Sequence, residues 1–231
     1  MLSEKDRFTA NRIFRKEWEV MEKKLVKIVF AVLLLLPVCA NATVLTFDDI
    51  GTSAYGTIPD GYGGFNWSKS FSDGVFYYVN VPLEIGNLTD SGLFNGVVSG
   101  DCVALPTPYV YKGKGWLSSV TPFTFNGAYF TAVWRDGLNV KVDGYLNDVL
   151  AYSTTVIVNT TGPMWCEFNY ANIDELRFSA SGGTQHEGYK YNYTQFVIDN
   201  FTYIPEPTTF LLFGLAGLVI SRGKSHSENE K

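Results

Sequence analysis

The sequence predicts an all-β domain, a jelly-roll-like β-sandwich. Three observations predict it. Apolar residues recur with period 2 through the middle of the chain, no segment sustains a period of 3.6, and turn-forming clusters recur at short spacing. Ala128, Phe130, Ala132 and Trp134 alternate with Tyr129, Thr131 and Val133. Leu138 to Asp143 has one apolar and one polar face, and Thr154 to Val158 is β-branched throughout. Leu176 and Phe178 flank Arg177, and Phe196 to Tyr203 reads as a strong last strand. The turns are Pro59-Asp60-Gly61, Ser72-Asp73-Gly74, Asp136-Gly137 and Ser181-Gly182-Gly183. Many short strands with such punctuation point to a sandwich. Asp136-Gly137, between two alternating runs, predicts a hairpin.

The ends of the chain read as addresses. Glu22 to Lys27 is a basic n-region, Ile28 to Val38 an apolar h-region, and Ala40-Asn41-Ala42 an A-x-A cleavage site. Cleavage there leaves Thr43 as the first mature residue. Met21 stands where an initiator belongs, so residues 1–20 read as an extension from an early start site and 21–42 as the signal peptide. Cys39 is not expected to be lipidated, because Val38 occupies a position that needs a small residue.

At the other end, Pro205-Glu206-Pro207 precedes an apolar run, Phe210 to Ile220, and then Arg222 and Lys224. The run is 11 residues, against roughly 20 needed to cross a bilayer core. The two prolines bar a helix from extending upstream. The three parts, in this order, resemble the PEP-CTERM sorting signal of exopolysaccharide-producing Gram-negative bacteria. Glu228 and Glu230 follow the basic residues and depart from the pattern, which has an Arg cluster. The resemblance implies passage through the Sec machinery, a transient stay in the inner membrane by the C-terminal tail, and recognition by an exosortase. It also implies a final place at the cell surface or in the extracellular matrix. Residues 43–204 then form the β-sandwich domain and 205–231 the sorting tail.

The body carries a second resemblance. Leu45 to Asp49, Ile58 to Trp67, Gly96 to Asp101, Ile173 to Phe178 and Phe196 to Phe201 look like blocks of a group of secreted, uncharacterised β-sandwich proteins. That implies a fold and a secreted role, and no known activity.

Composition narrows the function. Residues 43–204 hold 15 Asp and Glu against 7 Lys and Arg, a net charge of −8. Nucleic acid is not an expected partner, since neutralising phosphates needs clustered Lys and Arg. Two cysteines remain, Cys102 and Cys166. In an exported protein they either form a disulfide or stay as buried thiols. No cofactor is required. Two readings stand for Asp48 and Asp49, after the first strand, and Asp199 in the last: they share a structural Ca²⁺, which takes six to eight hard oxygen ligands, or Asp199 points to solvent or bonds local amides.

Aromatic residues are abundant. Flat rings stack on the C–H faces of sugars, and Tyr109, Tyr111, Trp116, Tyr189 and Tyr191 stand in loop-like contexts suited to that use. Trp134, on an alternating face, is expected in the core. Catalytic residues are not expected. The mature domain has one histidine, His186, and no Gly-x-Ser-x-Gly elbow. Glu167, Asp174 and Glu175 are the carboxylates from which a glycan hydrolase would draw its pair. The leading reading is therefore a non-catalytic module that associates with extracellular polysaccharide. The alternatives are a purely structural surface protein and, behind it, a glycan hydrolase.

Overall fold

A computed structural model describes residues 14–18, 20–24, 41–70, 74–83, 90–106 and 113–206. Tyr109, Tyr111, Ala40, Pro207, Arg222 and the h-region lie outside the described residues. The chain divides into two compact units, residues 1–39 and 40–231. In the first, residues 14–18 and 20–24 are α-helical. Among the described residues no helix is long and apolar enough to cross a membrane.

Among the described residues the second unit is built of β-strands, and every strand pairing is antiparallel. Its strands are β1 (Thr43–Leu45), β2 (Tyr55–Thr57), β3 (Asn66–Trp67), β4 (Lys69–Ser70), β5 (Gly74–Asn80) and β6 (Cys102–Pro106). They continue with β7 (Lys114–Ala132), β8 (Arg135–Leu146), β9 (Val149–Val158), β10 (Met164–Gln185) and β11 (Phe196–Pro205). The main path runs β2-β5-β6-β11-β7-β10-β8-β9, with β1 on β11, β3 on β7 and β4 on β5. The long strands β7 and β10 lose register between Glu167 and Glu175, and β11 shifts against β7 after Asp199. These irregularities let one hydrogen-bonded sheet bend over its own core, which gives the jelly-roll-like sandwich expected from the sequence.

Period 2 decides what is buried. Phe76 and Tyr78, Cys102 and Ala104, Phe130 and Ala132, and Phe196 and Ile198 face the main core, with Phe65, Trp67, Leu117, Phe123, Phe125 and Phe201. The residues between them, Val79, Val103, Leu105, Val133 and Val197, face a smaller cluster on the opposite side. This part of the sheet is thus covered on both faces, and Thr131, which the alternation places outside, is 1% exposed. Trp134, at 1% exposure, lies in the smaller cluster, and its indole N–H donates to Gln195 Oε1 at 2.7 Å.

The hairpin expected at Asp136-Gly137 does not form. Val133 and Trp134 join β7 to β8, but β10 lies between these two strands. Asp136 instead ties down its neighbours. Its Oδ1 accepts the Thr160 N–H at 2.9 Å and hydroxyl at 2.7 Å, and its Oδ2 lies 2.6 Å from His186 Nδ1. The tight two-residue hairpin joins β8 to β9 through Asn147 (φ 49°) and Asp148 (φ 63°). Asn and Asp tolerate the left-handed conformation that a type I′ turn requires at both positions.

Candidate functional site

One face of β7, β10 and β8 is polar where its reverse is core. In β10, Leu176 and Phe178 point into the core while Glu175, Arg177 and Ser179 point away from it. In β7, Leu117 is fully buried and Trp116 and Ser118 are half-buried. In β8, Val140 and Val142 face the core, and Lys141, Asp143 and Tyr145 take the other side. Register aligns them. Arg177 lies opposite Trp116 on one flank and opposite Asp143 on the other. Glu175 lies between Ser118 and Tyr145, and Ser179 between Lys114 and Lys141.

Lys114, Trp116, Ser118, Asp143, Glu175 and Arg177 line a cleft of about 670 Å³. Its size falls within the range of small-ligand sites. The Arg177 guanidinium is 4.2 Å from the centre of the Tyr145 ring, a cation–π contact. It also makes a two-pronged pair with Glu175, through Nε and through Nη2 at 3.2 Å. The hydrogen bond to Glu175 raises the Arg177 pKa above its ordinary value. Lys141 Nζ donates to Asp143 Oδ2 at 2.8 Å, and that bond raises the Lys141 pKa. The other oxygen of Asp143, Oδ1, is buried and has no hydrogen-bond partner, in a residue only 9% exposed.

Trp116 is held from behind. Its backbone N–H meets Ser68 Oγ at 3.2 Å, and its carbonyl accepts the Ser68 N–H at 3.0 Å. Gly115 lies against Phe76, where any Cβ would stand 2.4 Å from the ring. The ring platform is therefore on a rigid strand backed by core.

Of the other expected stacking residues, Tyr189 and Tyr191 are elsewhere. Tyr189 and Tyr191 are half-buried and pack edge-on against Trp134, at centroid distances of 6.4 and 5.1 Å. Neither lines the cleft. They pack against the smaller core.

Of the carboxylates considered for Ca²⁺, Asp48 and Asp199 accept from backbone amides. Asp199, 1% exposed, accepts N–H bonds from Val98 (2.7 Å) and Ser99 (3.0 Å) on Oδ2 and from Asn200 (2.6 Å) on Oδ1. Burial raises its pKa, against the pull of these three bonds. Asp48 Oδ1 accepts from the N–H groups of Asp101 and Cys102 at 2.8 and 2.9 Å. Both carboxylates thus hold the same loop, residues 98–102. Asp49 is turned to the Tyr62 hydroxyl, which donates to it at 2.8 Å. Among the described residues, no cluster of three or more His, Cys, Asp or Glu side chains is arranged to hold a metal ion. Backbone N–H groups take Asp48 Oδ1 and both oxygens of Asp199.

Of the two states open to Cys102 and Cys166, the structure has the second. Cys102 and Cys166 are free, buried thiols. Cys102 is on β6 and Cys166 on β10, with β11 and β7 between them in the sheet order. Burial pushes the Cys166 thiol up to about 11 and also raises Cys102, helped by the negative charge of Asp48.

His186, just after β10, is half-buried. Its Nδ1 faces both Asp136 Oδ2 (2.6 Å) and Thr160 Oγ1 (3.1 Å). A nucleophilic triad needs carboxylate and hydroxyl on opposite ring nitrogens; here both share one. Of the carboxylates named for a hydrolase, Glu167 accepts from Asn169 and Asp174 from the Asn147 N–H, while Glu175 alone reaches the cleft.

No protein-family model matches the sequence, and no curated protein matches it. Among solved structures the chain is similar to a DUF4465 family protein from Bacteroides caccae, at 15% identity and a TM-score of 0.45. The match spans 72% of this chain and 100% of the other. A DUF4465 family protein from Bacteroides ovatus is similar at 14% identity and a TM-score of 0.44, over 71% and 88% of the two chains. TmCBM61, solved in complex with β-1,4-galactotriose, is similar at 12% identity and a TM-score of 0.37, over 64% and 95%. Likenesses this distant leave the function to the geometry of the cleft.

Proposed function

We propose that the protein is a non-catalytic polysaccharide-binding module, and that the cleft over β7, β10 and β8 is its binding site. The row Trp116–Arg177–Asp143 carries the reading. It sets a half-buried ring, a multivalent donor and a buried acceptor side by side on three adjacent strands. A pyranose needs these three: an apolar surface for its C–H face, and a donor and an acceptor for its hydroxyls. Strand positions make the platform rigid, which reduces the ordering cost of binding a flexible chain. Trp116→Ala should abolish retention of residues 43–206 on the host's own polysaccharide in affinity electrophoresis, with the melting temperature nearly unchanged. Retention of the variant equal to wild type would remove the cleft from the function.

Its place in the cell is the second part of the proposal. The protein is exported through the Sec machinery, processed by an exosortase and left at the surface or in the extracellular matrix. The extent of the sheet supports this. Its first strand starts at Thr43, the expected mature terminus, and its last ends at Pro205, the first residue of the sorting motif. Protein recovered from the native host should start at Thr43 by intact mass, and a chain retaining residues 1–42 would overturn export by cleavage there.

A further inference from the structure

We infer that the cleft takes uncharged glycans and turns away acidic ones. The inference rests on the polysaccharide-binding reading and narrows it to a chemical class. Its starting point is which group in the cleft lacks a partner. Arg177 is engaged by Glu175, Lys141 by Asp143, and Lys114 is itself not without a partner. Asp143 Oδ1 is buried with none. A carboxylate oxygen can only accept, so the cleft asks its ligand for a hydrogen-bond donor. Leaving such an atom unpaired is costly, so a ligand that fills it is favoured by more than an ordinary exposed hydrogen bond.

A sugar hydroxyl supplies that donor. A uronate or sulfate group supplies none, and it brings a second negative charge against a buried first one. Arg177 is already matched by Glu175 and Lys141 by Asp143, and Lys114 has a partner of its own. The row of residues also sets the pose. Arg177 has Trp116 directly across on one strand and Asp143 directly across on the other, at cross-strand side-chain spacings of about 5 Å. A sugar ring lying on Trp116 then extends over Arg177 toward Asp143. One hydroxyl donates to Asp143 Oδ1, and its vicinal neighbour accepts from Arg177. The sugar gains access as the Lys141 side chain, 48% exposed, shifts while keeping its bond to Asp143 Oδ2.

The test uses residues 43–206, which span the whole sheet, and affinity electrophoresis on soluble glucan, galactan and mannan. Each polymer is run beside its C6-carboxylate counterpart. Wild type should be retained by at least one neutral polymer and about tenfold more weakly, or not at all, by its oxidised form, the scale of one like-charge contact. Asp143→Asn keeps an acceptor oxygen and removes the charge. It should keep neutral binding within a few-fold and gain binding to the oxidised polymer. Raising the salt should narrow the wild-type preference, a readout that needs no variant. Equal or stronger retention on an oxidised polymer overturns the inference and leaves polysaccharide binding standing. A preference unchanged by both salt and Asp143→Asn also overturns it. Retention on no polymer of either kind overturns the binding reading itself, and this inference with it.

Discussion

Two buried aspartates divide the molecule into a part that holds itself together and a part open to a ligand. Asp199 is 1% exposed and accepts three backbone N–H bonds. Asp143 is 9% exposed, has one ion pair and leaves an oxygen without a partner. The first carboxylate completes a loop. The second is incomplete, and it lies in a cleft beside a tryptophan. Burial alone therefore does not separate structure from function here; the count of satisfied lone pairs does.

The largest expected effect tests that division directly. Asp199→Ala orphans the amides of Val98, Ser99 and Asn200 and should destabilise the domain by about 3 kcal/mol. Asp143→Ala removes an unsatisfied acceptor and one half-exposed pair, so its cost should stay below about 1 kcal/mol. Chemical denaturation of both variants measures this, and equal costs would erase the distinction. Cys102 gives a local reading of the same contrast. Its thiol lies within the electrostatic reach of Asp48 and Asp199. Alkylation of Cys102 under native conditions should accelerate in Asp199→Ala and not in Asp143→Ala.

A second test enters the holding part from its other side. Gly100 has φ 58°, and a Cβ there would stand 2.2 Å from the Asp48 carboxylate. Gly100→Ala combines left-handed strain with a clash and should cost about 2 kcal/mol, while leaving glycan retention per folded molecule unchanged.

The smallest effect concerns the thiols. Because Cys102 and Cys166 are free, reductant should leave the melting temperature unchanged. A disulfide over that loop would have contributed about 4 kcal/mol in the chain-entropy picture, so a clear drop would show that the two are bonded.

The strands were readable because their signal is local. Alternation at Ala128–Ala132 and Phe196–Ile198 follows from which side chains the sheet buries, and it needs no knowledge of partners. Trp116 could be singled out for the same local reason, as a large ring in a Gly- and Lys-rich stretch. Its companions could not. Lys141-Val142-Asp143 and Glu175-Leu176-Arg177 each read as an ordinary strand with charges toward water. Only register shows that the two outward rows meet beside Trp116. A usable signal was present: in all three strands the polar residues share one parity opposite a buried aliphatic residue. Asp136-Gly137 misled for a related reason. The pair has hairpin chemistry, but β10 intervenes between the strands it joins, and the aspartate is used by Thr160 and His186. Tyr189 and Tyr191 looked like loop rings because their buried partner, Trp134, is more than fifty residues earlier.

The last strand has a mechanical consequence. β11 lies inside the sheet, bonded to β7 along its length, and β1 runs antiparallel to it with Thr43 opposite Tyr203. Glu206 follows it, and its N–H donates to Pro122 O at 3.1 Å while its carboxylate accepts from the Thr124 hydroxyl at 3.0 Å. There is no slack between the folded body and the start of Pro205-Glu206-Pro207. A tug on the chain beyond Glu206 would load β11 in shear, with its ladder to β7 sharing the force across many hydrogen bonds at once instead of parting them one by one.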